Sequence, residues 1–221
     1  MTQKLTILFD LDGTLVDTAK DLMGAHNHVM KKFGFDQKNL DDLKHLAGRG
    51  AWIMMQRSIK EEIVTDEKLK KEMIKEFINH YSKNIDKSSA PIKGVVNFLK
   101  WAKSKKIPMA VCTNKQEKLA VDLLKKIKLA DYFDYIAGYD TFDFNKPDPR
   151  HLTNVVEILG GNLNKTIMIG DSEVDSQSAY NAKIPFILVE DGYTEKKIDQ
   201  IPHDIVIKDF LNFEKTIKKY L

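Results

Sequence analysis

A chain of 221 residues, 43% hydrophobic and 30% charged, is long enough to bury a sizeable core and fits neither a disordered chain nor a disulfide scaffold. Its net charge of +3 comes from 35 Lys and Arg against 32 Asp and Glu scattered along the chain, so no basic block marks nucleic acid as a partner. No run approaches the ~20 apolar residues of a membrane span, and the single cysteine, Cys112, has no partner for an internal disulfide, so a cytoplasmic protein with no membrane partner is expected.

In chain order the first element is Leu5 to Phe9, a short apolar run that reads as a buried parallel strand ending at Asp10. From Asp17 to Ser89 the pattern changes. Leu22 to Phe33, Ala51 to Ile59 and Leu69 to Ile85 carry helix-period apolar residues, with no convincing strand between them. Asp17-Thr18 suits an N-cap at the entrance to this interval, and Ser88-Ser89-Ala90-Pro91 suits a return linker. Within it, His26 and His28 stand two apart, too far round a helix for joint metal ligation, and read as solvated.

Beyond residue 91 strand and helix patterns alternate. Helices are expected over Val95 to Lys103, Gln116 to Ile127 and His151 to Leu159, and strands over Met109 to Cys112, Tyr135 to Ala137, Thr166 to Ile169, Phe186 to Val189 and Ile205 to Ile207. The fold class that follows is α/β, with a doubly wound parallel-sheet, Rossmann-like core (residues 1–16 and 90–221) and an inserted α-helical cap domain (residues 17–89). In such a sheet, ligands bind beyond the carboxyl ends of the strands.

Chemistry concentrates at those ends. Phe9-Asp10-Leu11-Asp12-Gly13-Thr14 places two carboxylates two residues apart, on one side if the strand continues, with a glycine that lets the backbone turn. Such a pair suits phosphoryl transfer, one carboxylate attacking phosphorus and the other moving the proton; read alone, the spacing equally fits a surface turn or a helix cap. Gly170-Asp171-Ser172-Glu173-Val174-Asp175 follows another strand. If its carboxylates meet the first pair, each like-charged contact at ~4 Å costs ~4 kcal/mol at an effective dielectric of ~20, and a cation is required. Oxygen-only ligands point to Mg²⁺, with Asp171 as the foremost second-site ligand and Asp175 ligating directly, ligating through water, or orienting its neighbours. Lys146, between Asn145 and Pro147, is a fixed ammonium for nucleophile and phosphate, and Thr113-Asn114 offers a hydroxyl, an amide and backbone N–H groups to phosphate oxygens. Cys112, in an apolar strand, reads as core.

Asp-x-Asp-Gly-Thr, then Thr-Asn, Lys-Pro and Gly-Asp-x-x-x-Asp, in that order, resemble the haloacid dehalogenase-like superfamily of phosphohydrolases over essentially the whole chain. The resemblance implies Asp10 as nucleophile, Asp12 as general acid and base, and Thr113, Asn114 and Lys146 as phosphate-binding residues. It implies a Mg²⁺ site made by Asp171, the Asp10 carboxylate and the Asp12 backbone carbonyl, supported by Asp175. Within the superfamily FDLDGTLVD, VCTNK and GDSEVD look most like phosphoglycolate phosphatases. The expected substrate is thus a small phosphorylated metabolite, foremost 2-phosphoglycolate; pyrophosphatase, sugar-phosphate phosphatase, phosphoglucomutase and a non-turnover phosphoacceptor module are the alternatives. Arg49, in Gly48-Arg49-Gly50, is a candidate reader of a substrate carboxylate, or else an exposed arginine after a helix-ending glycine.

Overall fold

The computed structural model describes residues 5–41, 50–59 and 66–220, the side chain of Lys219 excepted. Six strands form one parallel sheet: β1 (Thr6–Phe9), β4 (Met109–Cys112), β5 (Tyr135–Ala137), β6 (Thr166–Gly170), β7 (Phe186–Val189) and β8 (Ile205–Ile207), in the spatial order β5-β4-β1-β6-β7-β8. Each inner strand is a continuous apolar run because both faces are covered. Along β1, Ile7 and Phe9 enter one apolar cluster and Leu8 the other, the period-two alternation of an extended chain. Under the first face the Phe9 ring meets those of Phe98, Phe133 and Phe210 at 6.2, 6.0 and 6.4 Å, and burying one such side chain contributes roughly 1.5–3 kcal/mol.

The register fixes where chemistry sits. Phe9 lies level with Val111 on one side and Ile169 on the other, so Asp10, Thr113 and Asp171 all emerge just beyond one edge. Chain direction changes there: β4 and β5 lie to one side of β1, and the chain then crosses to β6, β7 and β8 on the other. A crevice at such a switch point is the standard binding place in open α/β sheets.

Between β1 and the rest of the sheet stand helices α1 (Ala19–Phe33), α2 (Ala51–Ser58) and α3 (Glu67–Asn84). Helix α3 starts at Asp66, whose carboxylate accepts the amides of Lys68 and Leu69 at 2.8 and 3.3 Å. It buries Met73, Phe77 and Tyr81, a stripe spaced by four residues, and packs along α1. One expectation fails here. His26 is buried, hydrogen-bonded to Asn27 at 3.1 Å and Ser58 at 2.8 Å; it sits on the α1 face that α2 covers, and burial holds its pKa below the ordinary value.

The crossings in and out of this helical segment form a two-stranded antiparallel ribbon, β2 (Val16–Asp17) with β3 (Ala90–Pro91). Asp21 of α1 ties in the return, its carboxylate accepting from the amides of Ser88 and Ser89 at 2.9 and 2.8 Å and from the Ser89 hydroxyl at 2.7 Å. On the outgoing side the Tyr193 hydroxyl accepts the amides of Thr18 and Ala19 at 2.7 and 2.8 Å and donates to Asp17 at 2.7 Å. The remaining helices, α4 (Val95–Ser104), α5 (Glu117–Lys126), α6 (Arg150–Ile158), α7 (Glu173–Ala182) and α8 (Phe213–Ile217), cover the sheet. Among the described residues no helix is long and apolar enough to cross a membrane.

Candidate active site

The turn after β1 is tight: the amides of Thr14, Leu15 and Val16 all donate to the Leu11 carbonyl, and Gly13 donates to Val16 at 2.9 Å. Gly13 has φ 83°, and a Cβ there would collide with the Asp171 carboxylate. Glycine is therefore required both for the turn and for the approach of the second acidic motif.

On one side of the turn, Asp10 Oδ1 accepts from Lys146 Nζ at 2.7 Å, and the same ammonium donates to Asp175 Oδ1 at 2.5 Å. The other oxygen of Asp175 accepts from the Ser172 amide and hydroxyl at 3.2 and 2.6 Å, a capping box at the start of α7. Asp171 accepts from the Thr14 hydroxyl at 3.0 Å and from the Tyr193 amide at 2.5 Å. Asp10, Asp171 and Asp175 are all buried and bring one oxygen each within 4.8 Å of one another.

Burial pushes the Asp10 carboxyl up to about 6, Asp175 and Asp12 adding to the rise and Lys146 opposing it. Asp171 is raised well above the usual carboxylate range by burial, then by Asp10 and Asp175. Burial works against the Lys146 charge, but Asp10 and Asp175 outweigh it and hold the ammonium protonated. Three buried carboxylates beside one ammonium, which bonds only Asp10 and Asp175, remain short of positive charge, and an all-oxygen donor set suits a hard cation. The cluster fits a metal ion.

On the other side of the turn, Asp12 is held quite separately. Its Oδ1 accepts from the Thr18 hydroxyl at 2.7 Å, and both its oxygens accept from Lys115 Nζ at 2.7 and 2.8 Å. The Lys115 ammonium lies 4.6 Å from the centre of the Tyr81 ring on α3. A cavity of about 310 Å³ opens here, lined by Asp10, Asp12, Thr113 and Lys115 at the sheet edge and by Trp52 and Tyr81 from the helices. Asn114 fastens the neighbouring loops, its side-chain N–H donating to the Lys146 carbonyl at 2.9 Å, while the Thr113 hydroxyl accepts the Lys115 amide at 3.1 Å.

Residues 7–189 match the family model for Haloacid dehalogenase-like hydrolase. The chain belongs to the haloacid dehalogenase-like hydrolases. Among curated relatives, a phosphoglycolate phosphatase from Agrobacterium fabrum is 41% identical over 218 residues, covering 96% of this hydrolase and 94% of the relative. One from Caulobacter vibrioides is 38% identical over 95% of this chain and 89% of its own. A solved structure described as a predicted phosphoglycolate phosphatase from Haemophilus somnus superposes with a TM-score of 0.91 at 26% identity, over 99% of this chain and 100% of that one. Family and relatives together support an enzyme of the phosphatase class.

The hydrolase thus brings Asp10, Asp12, Thr113, Asn114, Lys146, Asp171 and Asp175 to one sheet edge. Two roles shift. Asp175, expected to support the acidic site, has its carboxylate inside the cluster, whereas the Asp12 carboxylate is outside it and bound to Lys115. Arg49 lies outside the described residues. Cys112 is buried beneath the site with its thiol pushed up to about 12 by burial, an inert core position. Sequence reasoning read Thr18 only as an N-cap, where its hydroxyl instead donates to Asp12, and gave no role to Thr14, Tyr81, Lys115 and Tyr193. Lys115 stood inside the quoted VCTNK motif and Thr14 inside FDLDGTLVD, so those two carried a signal; Tyr81 and Tyr193 carried none.

Proposed function

We propose that this hydrolase releases inorganic phosphate from 2-phosphoglycolate, a small phosphorylated metabolite, through an aspartyl-phosphate on Asp10. The observation that carries the reading is the division of labour at the turn: two buried carboxylates two residues apart, each bound to its own buried lysine. The relatives named as phosphoglycolate phosphatases support the substrate.

In this mechanism the Asp10 carboxylate attacks phosphorus while Lys146 keeps it in place and offsets the incoming phosphate charge. The Thr113 hydroxyl and the Asn114 amide receive phosphate oxygens. Asp12 delivers a proton to the departing glycolate oxygen and later takes one from the water that hydrolyses the aspartyl-phosphate. Asp10 and Asp171, with Asp175 beside them and the Asp12 backbone carbonyl, would hold Mg²⁺, which supplies charge neutralisation for the phosphate oxygens.

Residues 17–89 act as a cap domain over a core of residues 1–16 and 90–221, and supply the wall of the cavity that excludes water. A cytoplasmic enzyme accords with the lone, free Cys112, and cell fractionation tests that placement. Phosphate release measured over 2-phosphoglycolate, pyrophosphate and hexose phosphates, with and without Mg²⁺, tests the function. Fastest turnover of 2-phosphoglycolate with Mg²⁺ is expected. Preference for pyrophosphate or a hexose phosphate would overturn the substrate, and stoichiometric phosphorylation without continuing release would overturn the hydrolytic reading.

A further inference from the structure

In 2-phosphoglycolate the carboxylate carbon lies two covalent bonds beyond the oxygen that leaves phosphorus. The group that protonates this oxygen must therefore stand beside the group that reads the carboxylate. The protonating group proposed above is Asp12, and the cation touching both of its oxygens is Lys115.

Lys115 is 8% exposed and is the only cationic side chain among the described residues that line the cavity. An ammonium has three protons; Asp12 receives bonds at 2.7 and 2.8 Å, and the Tyr81 ring at 4.6 Å limits where the head can go. Tyr81 itself lines the cavity and is buried, and its hydroxyl has no hydrogen-bond partner. Burial, reinforced by Asp12 and Asp21, keeps that hydroxyl protonated and thus a donor. A buried donor left unpaired is costly, and the residue that carries it lines the cavity.

We infer that Lys115, with the Tyr81 hydroxyl as second donor, recognises the carboxylate of the leaving group. This rests on the substrate and acid assignments of the preceding subsection. Lys115 then serves two anions, the Asp12 carboxylate and the carboxylate of the departing glycolate, and ties recognition of the leaving group to the position of its proton donor. Because Tyr81 stands on α3 and Lys115 follows β4, the two halves of this reader come from the helical segment and from the sheet edge.

The test compares kcat/KM for 2-phosphoglycolate and for 2-hydroxyethyl phosphate, which has the same chain length and no carboxylate. Lys115→Met is expected to lower the ratio of the two constants by about 100-fold, the scale of a lost charge-assisted contact, and Lys115→Arg, which keeps the charge, to retain most of the preference. Tyr81→Phe keeps the ring and is expected to lower the ratio by about 5-fold, mainly through KM. Equal losses on both substrates in Lys115→Met and Tyr81→Phe would overturn the proposal and leave Lys115 as a counter-ion of Asp12. Should Lys115→Met not fold, Tyr81→Phe decides, an unchanged ratio overturning it. Wild-type enzyme that ignores 2-phosphoglycolate would instead remove the substrate assignment itself, a failure visible before any variant is made.

Discussion

Two lysine–aspartate pairs flank one turn, and they are built differently. Asp10 and Lys146 belong wholly to the sheet edge, where the ammonium also binds Asp175 and the carboxylates of Asp10, Asp171 and Asp175 lie close enough to share a cation. Asp12 and Lys115 face the helical segment, their partners being Thr18 at its entrance and the ring of Tyr81 within it. In the proposed mechanism the first pair handles what every phosphate ester has in common. The second would touch whatever distinguishes one ester from another, which would separate chemistry and selectivity by a single turn of chain.

The sharpest way to break this contrast is at Asp10, the proposed nucleophile. Asp10→Asn is expected to lower phosphate release by at least about 10³-fold on every substrate with the fold retained; residual turnover near wild type would move the nucleophile elsewhere. Lys146→Met follows, because it strands buried carboxylates without their ammonium. A loss of about 3–5 kcal/mol in urea unfolding is expected alongside the lost activity, and stability within 1 kcal/mol of wild type would show that the pair contributes little.

Metal separates the two sides more finely. Mg²⁺ at about 100 times its dissociation constant is expected to stabilise the fold by about 2.7 kcal/mol, measured as a rise in Tm. Asp171→Asn should remove that rise and Asp12→Asn preserve it; the reverse pattern would place the cation beside Lys115. Tyr193→Phe deletes the hydroxyl shared by Asp17, Thr18 and Ala19 and is expected to cost about 1–3 kcal/mol by thermal unfolding. The smallest effect belongs to Arg57→Gln, which removes an ion pair with Glu195 at 2.7 Å whose partners are partly exposed. Less than about 1 kcal/mol is expected there.

The sheet was legible because parallel strands buried on both faces must be apolar throughout, and each predicted run from Leu5 to Phe9 onwards lies in a strand with its end shifted by at most a residue. The acidic motifs were legible because they follow those runs directly. Val16–Asp17 was not, since two residues carry no period and pair only because Ala90–Pro91 returns beside them. Lys115 stands inside a motif, but the motif does not say what it touches, and only the fold turns its ammonium onto Asp12. Tyr81 looks like one more apolar position in the stripe with Met73 and Phe77; nothing local records that its ring meets a residue 34 positions further on. His26 went wrong for the same reason, because its burial comes from α2 rather than from its own helix.

The laced ribbon under the helices has a mechanical consequence. Residues 19 to 84 leave and rejoin the sheet through hydrogen-bonded neighbours, with Asp21 gripping the return and Tyr193 the departure. Two separate tethers would permit shear and twist, whereas one doubled tether leaves chiefly a swing. A swing about it would draw Tyr81 away from Lys115 and open the wall of the cavity in the same stroke, so that admitting a substrate and releasing the proposed grip on its carboxylate would lie along a single coordinate.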